Sequence, residues 1–199
     1  SALEIVGDRV QSTADAINNA MRMLKEGGTD VVKIEGGEDF APVAEAVVKA
    51  GVPVMAHIGL TPQLVSKLGG FKVQGKSAET GVQLLKDALA MEKAGCFALV
   101  LEGIPLELGA EVSRALRIPT IGIGAGRDCD GQVLVLHDLI GLTFGKPARF
   151  VRRYADVAGT MREALRAFGE DVRSGSYPSE AESYAAAPAP ASKPEPAPA

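Results

Sequence analysis

Tryptophan is absent from this 199-residue chain, aromatic residues make up only 5% of it, and there are two cysteines. Cys96 and Cys129 lie far apart and lack the spacing of a metal-binding motif. Cys96 falls in a strand-like apolar run, which predicts that it is a small buried hydrophobic residue. This use of cysteine fits a reduced, cytoplasmic setting.

Long apolar runs and charge of a single sign are also missing. No run is long enough to span a bilayer, and we see no signal peptide. The net charge is −4, with acidic and basic residues interspersed. The one basic cluster, residues 149–153, is short and is interpreted as a solvated helix start. We therefore expect no nucleic-acid partner and no membrane partner.

The last part of the chain has few apolar groups large enough to pack. From about Ser174 it consists largely of Ser, Ala, Pro and Glu. Alternating Ala and Pro favour an extended polyproline conformation, so we predict a disordered tail over residues 174–199, with a tether as the alternative. Residues 1–173 are long enough for one domain with an ample core.

Four apolar runs each end in a charged or ionisable residue, a glycine, or both. They are residues 31–37, 52–59, 97–103 and 119–126. Lys, Glu and His are costly to bury without a partner, so a buried strand that ends in one is expected to present it to something. Four such ends in one domain predict one site built by several strands.

The runs are rich in Val, Ile and Leu and barely alternate with polar residues, which is typical of a parallel sheet buried on both faces. A fifth strand candidate follows at residues 133–136. Helical spacing, capping residues and glycine stops predict helices between the strands, over about 14–24, 40–48, 77–94, 106–116 and 154–172. Five strands favour a doubly wound open sheet; a (β/α)8 barrel requires strands that this chain lacks.

Two strand ends carry the first candidate residues. Lys33 and Glu35 are two apart on a strand, so both side chains leave the same face. They form either a structural ion pair or an anion-binding ammonium group beside a carboxylate for metal binding or acid–base chemistry. His57 is either a hydrogen-bonded core histidine or a substrate contact.

The other strand ends offer a carboxyl and a glycine run. Apolar surroundings disfavour the charged form of Glu102, which would suit a general base; the alternatives are capping the helix after Pro105 or pairing with a lysine. The glycines of residues 122–126 lack the spacing of a nucleotide-binding motif and either approach a ligand or allow tight packing. Asp128 and Asp130 form an Asx turn or meet a ligand. Residues 69–76 are interpreted as a loop that either covers a ligand or is an ordinary connection.

Together the strand ends closely resemble the ketopantoate hydroxymethyltransferase family. The resemblance runs from about residue 12 to about residue 176. It is carried by five motifs that occur in the same order as in the family, at residues 32–37, 53–63, 69–76, 98–105 and 118–138. The first of them reads Val-Lys-Ile-Glu-Gly-Gly and the fourth reads Ala-Leu-Val-Leu-Glu-Gly-Ile-Pro.

The resemblance implies a (β/α)8 TIM barrel of the phosphoenolpyruvate/pyruvate superfamily, of which this chain holds about strands four to eight. It implies hydroxymethyl transfer from 5,10-methylenetetrahydrofolate to 3-methyl-2-oxobutanoate, giving 2-dehydropantoate for pantothenate biosynthesis, with bound Mg²⁺ and a homo-oligomeric enzyme. By motif, Glu35 would be a magnesium ligand, Lys33 would bind the ketoacid with His57 nearby, and Glu102 would be the proton acceptor.

The chain departs from the family at its start. The first three βα units are missing, and they carry two aspartates that hold the metal with Glu35 and a serine that contacts the substrate. Residues 1–9 do not resemble those units. Two alternatives therefore stand beside the transferase: a related ketoacid lyase or mutase, and a non-catalytic fragment or assembly partner.

Overall fold

The computed structural model describes residues 2–5, 12–61 and 73–185. Within these residues, six strands form a single sheet in which every neighbouring pair is parallel. The strands are β1 (Ala2–Ile5), β2 (Val31–Glu35), β3 (Val54–Gly59), β4 (Ala98–Glu102), β5 (Thr120–Ile123) and β6 (Gly131–Gln132).

The order of the strands in the sheet distinguishes the two candidate folds. It is β1-β2-β3-β4-β5-β6, so each strand pairs with the next one along the chain. A doubly wound sheet reverses its order at a switch point, and no reversal occurs among the described strands. Consecutive parallel pairing is the arrangement of a (β/α) barrel. The preference for a doubly wound sheet, drawn from the residues alone, is therefore wrong, and the barrel class is confirmed.

The helices that lie between strands are α1 (Thr13–Lys25), α2 (Ala41–Lys49), α3 (Ala78–Lys93) and α4 (Leu106–Ala115). After β6 come α5 (Leu136–Leu139) and α6 (Val157–Ser174). Ser12 and Ser77 cap α1 and α3 by accepting backbone N–H bonds, as their positions predict. The last helix begins at Val157 rather than at Tyr154, because the Asp156 side chain accepts from the Gly159 N–H and fixes the cap there.

The two faces of the sheet differ in what covers them. Successive helices from α1 to α4 contact one another, and α1, α2 and α3 contact the strands. Side chains at alternate positions of the central strands enter this helix-packed core: Val32, Ile34, Val54, Ala56, Ile58, Leu99 and Leu101. The intervening positions therefore face away from that core, and these positions include the ionisable strand ends.

The fifth predicted strand is wrong as placed. The sheet includes only Gly131 and Gln132 in this region, and the run 133–136 lies beyond it. The Val133 N–H donates to the Gly122 carbonyl, after which the chain leaves the sheet and enters α5. Val133, Val135 and Leu136 are each about half exposed, so this apolar run lacks the two-sided burial that the strand prediction assumed. Conversely, β1 lies in a segment where no strand was predicted.

The predicted tail and the predicted covering loop lie partly outside the residues that the structure describes. The predicted tail begins where α6 ends, and residues 180–182 form a further turn of 3₁₀ helix. The boundary at 173/174 stays a prediction, since residues 186–199 lie outside the described part, as do residues 69–72 of the predicted covering loop 69–76. The basic cluster at 149–153 precedes α6 rather than starting it. Among the helices described, none is long and apolar enough to cross a membrane.

Candidate active site

Strand register brings the four candidate residues to one face of the sheet. Glu35 on β2 lies opposite His57 on β3, and Glu102 on β4 lies opposite Gly59, two residues beyond His57. Lys33 precedes Glu35 by two positions. Because side chains alternate along a strand, Lys33, Glu35, His57 and Glu102 all leave the face opposite the helix-packed core. The spacing of Lys33 and Glu35 predicts this shared face, and the register extends it to three strands.

His57 connects the other three side chains. Its Nδ1 lies 3.1 Å from Lys33 Nζ and 3.4 Å from Glu35 Oε1. Its Nε2 lies 3.2 Å from Glu102 Oε2. Lys33 Nζ also lies 3.5 Å from Glu35 Oε1. The result is a continuous line of two carboxylates, one imidazole and one ammonium group across three adjacent strands.

The four side chains differ in their access to solvent. Glu35 and His57 keep 2% and 3% of their side-chain surface, whereas Glu102 keeps 14% and Lys33 keeps 25%. Burying an ionised carboxylate without a partner is strongly unfavourable. The ammonium group of Lys33, 3.5 Å from Glu35 Oε1, supplies a compensating charge for this carboxylate. Lys33 and Glu102 are the members of the line that keep most contact with the outside.

The hydrogen-bond roles at His57 follow from the chemistry of lysine. A protonated lysine has three donors and no acceptor, so in the Lys33–His57 hydrogen bond Nδ1 accepts. The neutral imidazole then carries its proton on Nε2, toward Glu102. That buried Nε2 has no aligned hydrogen-bond partner among the described residues, so the 3.2 Å approach to Glu102 is an electrostatic contact rather than a completed hydrogen bond. His57 thus presents a buried polar atom suited to a ligand.

The pKa of His57 is set by opposing effects. Burial lowers it, because the charged imidazolium loses hydration, and the Lys33 charge lowers it further. The carboxylates of Glu102 and Glu35 act in the other direction and prevail, so the pKa lies above the ordinary histidine value. His57 is therefore a group whose charge depends on both flanking carboxylates.

The glycine run after β5 serves packing. Added Cβ atoms would clash with the Phe150 ring at Gly124 and with Leu106 at Gly126. The Gly124 carbonyl accepts from the Ile104 N–H, which ties the run to the segment after β4. Of the two readings of this run, the structure supports tight packing.

Asp130 likewise has a structural partner. Its Oδ2 accepts from the Thr120 N–H at 2.8 Å and from the Thr120 hydroxyl at 3.0 Å. The carboxylate therefore fixes the start of β5 to the loop after it. Because its partner lies ten residues away, these bonds are neither the Asx turn nor the ligand contact suggested for Asp130 by the sequence.

The magnesium site implied by the resemblance is not complete in the described residues. No group of three or more His, Cys, Asp or Glu side chains among them has the arrangement of a metal site. Glu35 is an oxygen donor of the kind that Mg²⁺ prefers, but Lys33 and His57 already lie against its Oε1. The residues present therefore do not fit Mg²⁺ on their own, and further carboxylates would be needed.

Sequence reasoning missed two features of this site. It assigned Glu102 to apolar surroundings and did not find His57 against it, because their contact depends on strand register between segments 45 residues apart. It also missed Asp87 on α3, whose side chain accepts from the Glu38 N–H just beyond Glu35. Helical spacing marks Asp87 only as a polar residue between core positions.

Comparison with known proteins shows which family the chain is similar to. The family model for ketopantoate hydroxymethyltransferase matches residues 6–180. The chain belongs to the ketopantoate hydroxymethyltransferase family. Its 3-methyl-2-oxobutanoate hydroxymethyltransferase relatives include those of Koribacter versatilis, 56% identical over 85% of this chain, and of Oleidesulfovibrio alaskensis, 52% identical over 87%.

The chain is shorter than these family members. It covers 58% of the Koribacter versatilis protein and 60% of the Oleidesulfovibrio alaskensis protein. A solved structure of a putative lyase/mutase from Burkholderia cenocepacia is 17% identical in sequence to this chain. The structural match covers 89% of this chain and 62% of the lyase/mutase chain, with a TM-score of 0.42. That structural likeness is too low to bear on function.

Proposed function

We propose that this chain supplies the ketoacid-binding and proton-abstracting part of a 3-methyl-2-oxobutanoate hydroxymethyltransferase. The reaction would transfer a hydroxymethyl group from 5,10-methylenetetrahydrofolate and give 2-dehydropantoate. The observation that carries the proposal is the line Lys33–Glu35–His57–Glu102 on one face of the sheet. It unites a cation for an acidic substrate with a partly exposed carboxylate suited to take a proton.

The ketoacid would be held by the positive end of this line. Lys33 keeps a quarter of its side-chain surface and can donate to a substrate carboxylate while it contacts Glu35. The unsatisfied Nε2–H of His57 would donate to a second substrate oxygen, such as the keto oxygen. Two donors on adjacent strands would fix the orientation of a small 2-oxo acid.

Glu102 would take the proton from C3 of the ketoacid. The electron pair of the broken C–H bond moves toward the keto oxygen and forms an enolate, whose charge the donors on Lys33 and His57 stabilise. The enolate carbon then forms a bond to the methylene carbon of the folate, and both C–N bonds that hold this carbon break. Water supplies the hydroxyl oxygen of the product. The two folate nitrogens take up the proton held by Glu102 and one proton from water, so that tetrahydrofolate leaves. Glu102 is thus the single side chain proposed to remove the proton next to the keto group.

We propose that the complete enzyme also uses Mg²⁺, which as a Lewis acid stabilises an enolate oxygen. In the family pattern, two further metal-binding carboxylates are aspartates of the first three βα units, which this chain does not match. Support within the chain is limited to the buried oxygen donor of Glu35.

Deuterium exchange at C3 of 3-methyl-2-oxobutanoate tests the proton step without the folate. The ketoacid would be incubated in D₂O with the chain and Mg²⁺, and exchange followed by NMR. Glu102→Gln should lower the exchange rate by about 10²-fold or more, the range for a lost general base. Glu107→Gln on α4 is the matched control, because its exposed carboxylate lies in the first turn of that helix.

Exchange that is equally fast in the Glu102→Gln variant would refute the role of Glu102. The same chain should be assayed for 2-dehydropantoate formation with 5,10-methylenetetrahydrofolate. An oligomer that shows no thermal shift with ketoacid and Mg²⁺ would favour a non-catalytic assembly partner. Turnover of other ketoacids would favour a lyase or mutase.

We further propose that the protein assembles as a homo-oligomer in the cytoplasm. On α6, Met161, Leu165, Phe168 and Val172 are each about half exposed or more and follow heptad spacing, which is typical of a helix that packs against another. The free cysteines support a reducing compartment. Mass measurement of the chain and of its Leu165→Glu variant tests the assembly, and only the former should form oligomers.

A further inference from the structure

The turn that follows Glu35 is built from two glycines. Gly36 adopts φ +134°, a backbone conformation that favours glycine, and its N–H donates to the His57 carbonyl at 3.0 Å. Gly37 then leads into a short 3₁₀ turn over Glu38–Phe40. Two glycines in succession give the chain wide conformational freedom immediately after an active-site carboxylate, so something else must fix its direction.

Asp87 on α3 contacts this turn directly. Its Oδ1 accepts from the Glu38 N–H at 3.0 Å. Gln83, one helical turn earlier, donates to the same oxygen at 3.1 Å and so holds the carboxylate in place. A Cβ on Gly37 would clash with the Asp87 side chain, which means that the turn and the helix approach as closely as a glycine permits.

We propose that Asp87 is a positioning residue for the active site. By holding the Glu38 N–H, it fixes the turn 36–38 and therefore the direction in which Glu35 leaves β2. Glu35 in turn lies against Lys33 and His57, so the effect of Asp87 reaches the substrate-binding groups without touching them. Its bearing on catalysis rests on the proposed function; its effect on the geometry does not.

A matched control exists on the same helix. Glu92 is also half-buried, and its Oε1 accepts from the N–H groups of Arg117 and Ile118 at 2.6 and 3.2 Å. It therefore makes the same kind of carboxylate–backbone bond as Asp87, but to the segment between α4 and β5. Comparing Asp87→Ala with Glu92→Ala separates loss of a helix–loop bond in general from loss of the bond beside Glu35.

The result is measured by NMR on the full chain without substrate, from hydrogen exchange at the Glu38 amide and from the position of the His57 ring signal. The chain has only two histidines, so the His57 ring signal can be followed with exposed His137 as an internal reference. In Asp87→Ala, hydrogen exchange at the Glu38 amide should rise roughly tenfold or more, the effect of losing a bond to a charged acceptor. The His57 signal should move while the His137 signal stays. Glu92→Ala should leave both ring signals in place.

Asp87→Asn keeps an acceptor oxygen for the Glu38 N–H and should restore the His57 signal to near its original position. A His57 signal that is unmoved in Asp87→Ala despite faster Glu38 exchange would overturn the proposal, as would an equal movement in Glu92→Ala. Because no ketoacid is present, failure here is distinct from failure of the exchange assay with Glu102→Gln.

Discussion

Replacing Gly59 by alanine should destabilise the protein through the contact between the ends of β3 and β4. Gly59 has φ +94°, and an added Cβ would clash with the Glu102 carbonyl oxygen and approach Ile104 Cγ2 at 2.9 Å. The left-handed conformation alone costs an L-residue about 1–2 kcal/mol. The clash with fixed backbone adds about 1–3 kcal/mol, as overpacking does in other cores.

Gly51→Ala is the control for this prediction. Gly51 has φ +89°, but nothing lies within 4 Å of its added Cβ, so it carries the conformational cost without the clash. Thermal or urea unfolding of both variants therefore isolates the contact with Glu102. Since about 1 kcal/mol lowers the unfolding temperature of a chain of this size by roughly 2–4 °C, Gly59→Ala should unfold about 2–12 °C below Gly51→Ala. Equal losses in the two variants would refute the close approach.

Two further predictions concern ionisable groups away from the active site. Burial raises the pKa of the Cys96 thiol to about 11, so at pH 8 a thiol reagent should modify Cys96 far more slowly in the native protein than in urea; equal rates would contradict its burial. Hydrogen bonds from the Thr120 N–H and hydroxyl lower the pKa of Asp130, so its stabilising contribution is present above its unfolded pKa and is lost as pH falls through the lower folded value. Asp130→Asn should therefore flatten the decline in unfolding free energy below about pH 4, and an unchanged slope would contradict that role.

Helix ends were the most predictable part of the fold because their signals are local. Ser12 caps α1 as its motif predicts, α3 begins directly after Ser77, near its predicted start, and Gly51 and Gly95 follow helix ends with positive φ. The prediction of Cys96 as a buried residue is confirmed, since it is 2% exposed and belongs to the hydrophobic core just before β4. At the helix ends the determining partners are within a few residues of one another in the sequence.

The features that sequence reasoning missed depend on contacts between distant segments. The apolar run at 133–136 has the composition of a strand. Its burial depends on which other segments pack against it, and these residues are largely exposed. The preference for a doubly wound sheet came from a strand count, whereas strand order is a property of pairing. The same limit applies to Glu102, because its neighbour His57 is set by the register of β3 against β4.

Sequential strand order also has a consequence for how the protein folds. From β1 to β5 each strand pairs with the strand that follows the next helix, and β6 pairs with β5 after a short loop. Every pairing therefore joins consecutive segments, and the contact order stays low for a parallel sheet. The sheet can grow by one βα unit at a time from a nucleus of two adjacent units, much as a repeat array does. A unit added before β1 would require no rearrangement of the pairings already made, so a longer family member can contain this same sequence of strands unchanged.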